Sequence, residues 1–278
     1  MIASNNLKAA VIGWPVKHSL SPRLHGYWLK QYGIAGSYDA IEVEPENLVH
    51  FLGTLASNRF CGVNLTVPHK ETALDCVDII QTLAVRVGAI NTIIINADGK
   101  CEGRNTDVFG FTENLKQGGY KPDERPVTLL GAGGAARAAL AALIDMGVKE
   151  IRIVNRTLEK SKNLSNYFPD TSIPIYQWNS SRALENAGLL VNATSLGMAG
   201  QPPLAIDLDA LPCDAFVSDM VYAPLMTELL LKSQKRGNPV IDGLGMLLHQ
   251  ARPAFAAFFG EDPEVTPELR QHVLNGVG

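Results

Sequence analysis

Residues 131 to 136 read GAGGAA; they follow the apolar run VTLL and open an alanine-rich stretch that reaches Asp145. A strand that turns on glycines into a helix offers free backbone N–H groups and a partial positive charge, which suits a pyrophosphate. In the GxGxxG pattern or its GxGxxA variant, Gly131 makes the turn, Gly133 lets a phosphate approach and Ala136 packs the helix. Ala132, Gly134 and Ala135 complete that loop. A glycine turn kept only for packing would read the same in isolation. The strand before it, the helix after it and the further strand beyond favour a dinucleotide.

The end of that next strand selects the dinucleotide. An NAD site usually places Asp or Glu there for the ribose 2′-hydroxyl, whereas this chain reads IVNRTLEK, with Asn155, Arg156 and Thr157. A guanidinium suits a 2′-phosphate, and Lys160 follows one helical turn later. A solvated surface arginine is the alternative; the position in a nucleotide fold makes NADP(H) the expected cofactor. A nicotinamide implies hydride transfer, so a polar substrate and a proton donor are needed elsewhere.

GVNLTVPHKE supplies candidates for both. Read as a strand, it sends Asn64 and Thr66 to one face and Leu65 and Val67 to the other, after which Pro68 starts a helix with Lys70 in its first turn. The helix dipole disfavours an ammonium there, which favours proton release. On the residues alone, a lysine such as Lys70 is more often just a solvated side chain.

The elements that must position these groups alternate along the 278 residues. Strands are expected at KAAVIGW, SYDAIEVE and GVNLTVP, with helices after Pro22 and Pro45, and NTIIINADGKCEGRNT reads as a hairpin turning at Asp98 and Gly99. A helix closed by Gly118 and Gly119 and a polar linker with Pro122 and Pro126 precede the glycine loop. Beyond it, VTLLG, EIRIVN, IPIYQ, LLVNATS, AFVSDMVY and PVIDG suffice for a doubly wound unit. The fold expected is α/β with mainly parallel sheets in two domains: a Rossmann-like NADP-binding domain over 112–243 and a discontinuous substrate domain over 1–111 plus 244–278. The polar linker is the natural boundary between them.

Composition narrows the partners. A formal charge of −4 and 19% charged residues give no electrostatic reason for nucleic acid or an anionic membrane surface. Cys61, Cys76, Cys101 and Cys213 are scattered without CxxC or zinc spacing, so no metal is expected and a reducing compartment fits. MIASNNLKAAVIGWPV carries no basic leader and no segment reads as a membrane span, so a cytoplasmic protein acting on a small molecule is expected.

Motifs along nearly the whole chain, HSLSP at 18–22, NLTVPHK at 64–70, GAINT at 88–92, NTD at 105–107, GAGGAA at 131–136, NRT at 155–157, NATSLGM at 192–198 and GMLLHQ at 245–250, resemble the shikimate dehydrogenase family. The resemblance implies NADPH-dependent, reversible reduction of 3-dehydroshikimate to shikimate in aromatic amino-acid biosynthesis, by a monomer or homodimer. It makes Lys70 and Asp107 the catalytic pair, with Asp107 reaching the lysine across a cleft; a helix N-cap is the bland role for that aspartate. It assigns the substrate carboxylate to Ser19 and Ser21, whose i,i+2 spacing in an extended segment would put both hydroxyls on one face. Turn formation beside Pro22 is the other reading of those serines. Thr66, Asn91, Tyr222 and Gln250 would bind ring hydroxyls or carboxylate, Ala193 and Thr194 would lie along the dinucleotide, and Met220 and Gly243 near its nicotinamide. Met220 is as readily a core residue of its strand. None of His18, His69 or His249 is given a catalytic role. A quinate/shikimate dehydrogenase of the same superfamily and a non-catalytic NADP-sensing protein are the competing readings. The paired serines and Arg156 speak against the first, and the presence of both Lys70 and Asp107 against the second.

Overall fold

The first strand, β1 (Leu7–Gly13), is apolar without alternation from Ala9 to Ile12, and all four residues are buried, as in a central strand covered on both faces. In the computed structural model, which describes residues 7–276, β1 is followed by α1 (Ser21–Gln31), β2 (Gly36–Glu42), α2 (Leu48–Thr54), β3 (Phe60–Leu65), α3 (His69–Thr72), β4 (Ile79–Ile80), α4 (Thr82–Val87), β5 (Thr92–Ile95) and β6 (Cys101–Arg104). These strands form one six-stranded sheet in the order β2-β1-β3-β5-β6-β4. β1 is parallel to β2 and β3. β4 also pairs in parallel with β6, whereas the β5–β6 hairpin and its pairing with β3 are antiparallel, so parallel pairing predominates as expected and the hairpin is the exception. The reason is local: a tight turn at Asp98–Gly99 can only return the chain antiparallel. The two-residue β4 is too short to show a sequence period.

The chain continues through α5 (Asp107–Gln117), β7 (Val127–Leu130), α6 (Gly134–Asp145), β8 (Ile151–Asn155), α7 (Leu158–Ser165), β9 (Ile175–Gln177), β10 (Leu189–Asn192), β11 (Phe216–Asp219), α8 (Glu228–Lys235) and β12 (Val240–Ile241). It ends in α9 (Leu244–Phe259) and α10 (Pro267–Leu274). The second sheet runs β12-β11-β10-β7-β8-β9 with every pairing parallel, the order of a doubly wound nucleotide fold.

Two compact units result, residues 1–106 with 247–278 and residues 107–246. The polar linker around Pro122 therefore lies inside the second unit, not at its border. The cause is α5, which packs against α6, while its Asn114 amide donates to the Asp242 carbonyl at 2.8 Å. Each unit has its own core: Ile12, Leu48, Val63, Ile90 and Ile93 in the first, Leu130, Leu190, Val217, Leu229 and Leu230 in the second. Among the described residues no helix is long and apolar enough to cross a membrane, and no group of three or more His, Cys, Asp or Glu side chains could hold a metal ion. All four cysteines are free. The opening residues on which the leader reading rests lie in part outside the described residues.

Candidate active site

In the first unit the serine segment is a turn, not an extended strand. The Ser19 N–H donates to the Val16 carbonyl at 3.0 Å, Leu20 has helical φ/ψ, and Ser21 is the first residue of α1 ahead of Pro22. Ser19 Oγ accepts the Ser21 N–H at 3.3 Å, a local bond that a serine before a helix makes readily. The expected extended geometry is thereby corrected, and the two serines share one turn through a side-chain-to-backbone bond.

From Ser21 a buried polar chain runs through the sheet. The Ser21 side chain hydrogen-bonds the Tyr38 phenol, and the phenol donates to Asn64 Oδ1 at 2.7 Å. Asn64 Nδ2 donates to Thr92 Oγ1 at 2.9 Å and to the Asn91 carbonyl at 3.2 Å. Register explains the contact: Asn64 and Thr92 stand opposite one another on β3 and β5. Asn91 is buried, its Oδ1 accepting the Thr106 N–H at 2.7 Å and its Nδ2 donating to Thr106 Oγ1 at 2.9 Å and Gln250 Oε1 at 3.4 Å. Ser21, Asn91 and Gln250, expected separately, thus belong to one network. Tyr38, Asn64, Thr92 and Thr106 are members that the sequence reading did not assign. Burial drives the Tyr38 phenol well above its usual range, with the Ser21 bond acting the other way, so the phenol remains a neutral donor.

β3 ends at Leu65, so the expected alternation does not carry on to Val67, which is exposed. Thr66 is half-buried in the loop, its N–H bonded to the Ile12 carbonyl at 2.9 Å. Lys70 sits in α3 as expected and is half-buried, with its carbonyl accepting the Ile90 N–H at 2.7 Å. That helix is a single turn of four residues, so the dipole expected to act on the ammonium is small. The neighbouring His69 is buried and spans to the Val43 carbonyl at 2.8 Å, a packing role for that ring.

In the second unit Asp107 is buried as the first residue of α5, not the residue before it, where a carboxylate meets the positive end of the helix. Gly131 has φ +108°, which only glycine adopts without strain, and a Cβ there would stand 3.1 Å from the Ala193 carbonyl and Thr194 Cγ2. Gly133 caps α6 with no side-chain bond, and a Cβ on it would meet nothing within 4 Å. The first turn of the twelve-residue α6 offers N–H groups that have no partner within the helix, and Ala132, Gly134 and Ala135 are only partly buried around it. These features fit a dinucleotide phosphate. Arg156 directly follows β8, and it, Thr157 and Lys160 are exposed, with Asn155 Nδ2 holding the turn through the Thr157 carbonyl at 2.9 Å.

Thr194 is fixed by Asn192, whose Oδ1 accepts both its hydroxyl at 2.7 Å and its N–H at 3.1 Å. Met220 follows β11 directly, its N–H bonded to the Asn192 carbonyl at 3.0 Å, and it is half-buried, not a fully enclosed core residue. Gly243 lies against the carbonyls of Met220 and Val221, so closely that a side chain has no room. Burial raises the pKa of the partly buried Tyr222 phenol. The sequence reading did not assign Asn192, Asp219 and Thr227. For the first two the signal was a polar residue closing each apolar strand, LLVN and FVSD, at the carboxyl ends where such folds bind ligands.

Two family models match the chain: one described as shikimate dehydrogenase substrate binding domain over residues 11–93, the other as shikimate / quinate 5-dehydrogenase over 115–198. A protein of Paramagnetospirillum magneticum named shikimate dehydrogenase (NADP(+)) is 50% identical over 272 residues, covering 96% of this chain and 98% of that relative. Among solved structures, shikimate 5-dehydrogenase of Thermus thermophilus, in complex with NADP(H) and shikimate, is 36% identical with a TM-score of 0.87 and covers 97% of this chain and 99% of its own. Quinate dehydrogenase from Corynebacterium glutamicum, in complex with NAD, is 30% identical with a TM-score of 0.87, again covering 97% and 99%.

Proposed function

The chain belongs to the shikimate dehydrogenase family, and from this premise we propose that it carries out the reversible NADPH-dependent reduction of 3-dehydroshikimate to shikimate with the residues described above. It is an NADP-dependent oxidoreductase of the shikimate pathway. The observation that carries the cofactor side is the uncapped start of α6 at an open Gly133 together with Arg156 just past β8. NADPH, when bound, supplies the hydride that reduces the ketone carbon.

In this reading the unit of residues 107–246 holds the dinucleotide. The α6 N–H groups with Gly131 to Ala135 take the pyrophosphate; Arg156, with Asn155, Thr157 and Lys160, takes the 2′-phosphate. Ala193, Thr194, Met220 and Gly243 border its far end. The substrate residues are Ser19 and Ser21 at the carboxylate and Thr66, Asn91, Gln250 and Tyr222 at the ring. Lys70 delivers a proton to the forming alkoxide oxygen, and Asp107 orients the ammonium and shares the proton. The atoms balance: the carbonyl carbon gains hydride, its oxygen gains a proton and a secondary alcohol results. The protein acts in the cytoplasm as a monomer or homodimer.

The test is a turnover matrix of purified protein with shikimate and quinate against NADP and NAD. Turnover concentrated in the shikimate–NADP combination is expected. Comparable use of quinate would support the dual-substrate reading, and NADP binding without turnover of either acid would support the sensing role.

A further inference from the structure

Asp219 closes β11 with a carboxylate that is completely buried and that no step above uses. Its Oδ1 accepts the Asn192 amide at 2.9 Å and the Val221 N–H at 3.0 Å, and its Oδ2 accepts the Thr227 hydroxyl at 2.7 Å. Three donors converging on one side chain call for a group that only accepts, which is an ionised carboxylate; an amide offers one acceptor oxygen. Burial pushes this carboxyl up, and the three hydrogen bonds pull it back toward the charged form. Holding a charge in such a place is costly unless hydrogen bonds compensate it, so the three donors must stay in place around the carboxylate.

What they join is informative. Asn192 passes the connection to Thr194, and Thr194 Oγ1 accepts the Leu196 N–H at 3.1 Å. Val221 lies between Met220 and Tyr222, and Thr227 caps α8 through the Leu230 N–H at 3.3 Å. Packing reinforces the bonds: Gly131 is close against Ala193 and Thr194, and Gly243 against Met220 and Val221. Gly131 thus packs on the loop of Ala193 and Thr194, Gly243 packs on the loop of Met220 and Val221, and Asp219 joins the two loops.

We propose that Asp219 is a positioning residue for hydride transfer, holding the loop of Thr194 and the loop of Met220 and Tyr222 in fixed register. The inference rests on the functional reading above, in which these loops border the nicotinamide and the substrate. Hydride transfer tolerates little misplacement, and about 1 Å can cost a hundredfold in rate. Dinucleotide affinity rests largely on the phosphate contacts at α6 and Arg156, to which none of the Asp219 hydrogen bonds runs. Loosening those bonds lowers the chemical step and leaves the NADP Michaelis constant in place.

The experiment compares Asp219→Asn, Thr227→Val and Thr227→Ser with the unaltered enzyme, measuring thermal midpoint, kcat, both Michaelis constants and the primary deuterium isotope effect with shikimate labelled at the oxidised carbon. Thr227→Val removes the hydroxyl donor at nearly constant volume, and Thr227→Ser keeps it. Asp219→Asn is expected to lower kcat roughly ten- to a hundredfold and Thr227→Val about three- to tenfold. Both should leave the NADP Michaelis constant within about twofold and enlarge the isotope effect as chemistry becomes limiting. Thr227→Ser should restore both kcat and isotope effect. A lowered thermal midpoint with kcat per active site and isotope effect unchanged would overturn the proposal and leave Asp219 a scaffold residue. Should Asp219→Asn fail to fold, the two Thr227 variants decide in the same way. An unaltered protein without NADP-dependent shikimate turnover would overturn the functional reading and this inference with it.

Discussion

The imidazole of His25 lies 3.8 Å from the Tyr38 ring and within 5° of parallel to it, and neither of its nitrogens has a hydrogen-bond partner among the described residues. Trp28, Phe255 and Phe258 enclose the remaining sides. His25 thus fills an apolar site under the polar chain that begins at Ser21, and it does so as a neutral ring.

That environment makes stability depend on pH. Burial lowers the His25 pKa from its ordinary 6.5 to about 3. Between those values the unfolded chain binds a proton that the folded one refuses. The stabilisation is complete above about pH 6.5 and declines as the pH falls, by roughly 1.4 kcal/mol per unit, levelling near pH 3. His25→Phe keeps an aromatic ring in the stack and removes the proton. Denaturation midpoints measured from pH 7 to pH 4 should fall less steeply for the variant, by about one proton's worth of slope. Parallel curves would show that His25 does not govern acid stability.

Arg156 sets cofactor choice in the proposed reading. Charged hydrogen bonds to a 2′-phosphate are worth about 1.5 to 3 kcal/mol, so Arg156→Ala should raise the NADP Michaelis constant roughly ten- to a hundredfold. NAD kinetics should hardly change. Unaltered NADP kinetics would move the 2′-phosphate to another residue.

Lys70→Ala should lower turnover by about a hundredfold or more, the range for losing a positioned acid or base. NADP affinity, followed by calorimetry, should stay nearly constant, because the proposed cofactor residues belong to the other unit. Asp107→Asn should lower turnover to a similar degree. If the two work as one, the double variant will be far less impaired than the product of the single effects. Strictly multiplicative losses would separate them.

How much of this was legible beforehand depended on whether a group's partner was near in sequence. The glycine loop, the hairpin and Arg156 after β8 each carry their meaning within a few residues, and all fell where the sequence placed them. The strands of the second sheet were readable because buried parallel strands are short β-branched runs between turn residues. Asn64 was different: its partners Tyr38 and Thr92 lie 26 and 28 positions away, and Thr92 meets it only once β3 pairs with β5. Asp219 was hidden for the same reason, since Asn192 is 27 residues distant. The serine turn was misjudged because alternation was assumed where Ser19 Oγ bonds the Ser21 N–H and starts the helix early.

The serine turn also sets the expected choice between shikimate and quinate. Ser19 Oγ uses a lone pair on the Ser21 N–H, so its hydroxyl hydrogen is available to a ligand carboxylate. The Ser21 hydroxyl is shared with Tyr38, which is tied to Asn64, so neither serine can shift without breaking a bond. Quinate carries an added tertiary hydroxyl on the carbon bearing its carboxylate, and its saturated ring turns that carboxylate from the plane shikimate presents. Against two fixed hydroxyls, the extra group must displace a hydrogen bond to the carboxylate or be buried without a partner, and each costs about 1 to 3 kcal/mol. Together they imply a preference for shikimate on the order of a hundredfold or more in specificity constant. Ser19→Ala should weaken shikimate roughly tenfold or more with NADP affinity intact. Ser21→Ala should do likewise and also lower the thermal midpoint, because it removes a partner of the buried Tyr38 phenol. Equal specificity constants for the two acids, measured with either cofactor, would show that the serine pair does not discriminate.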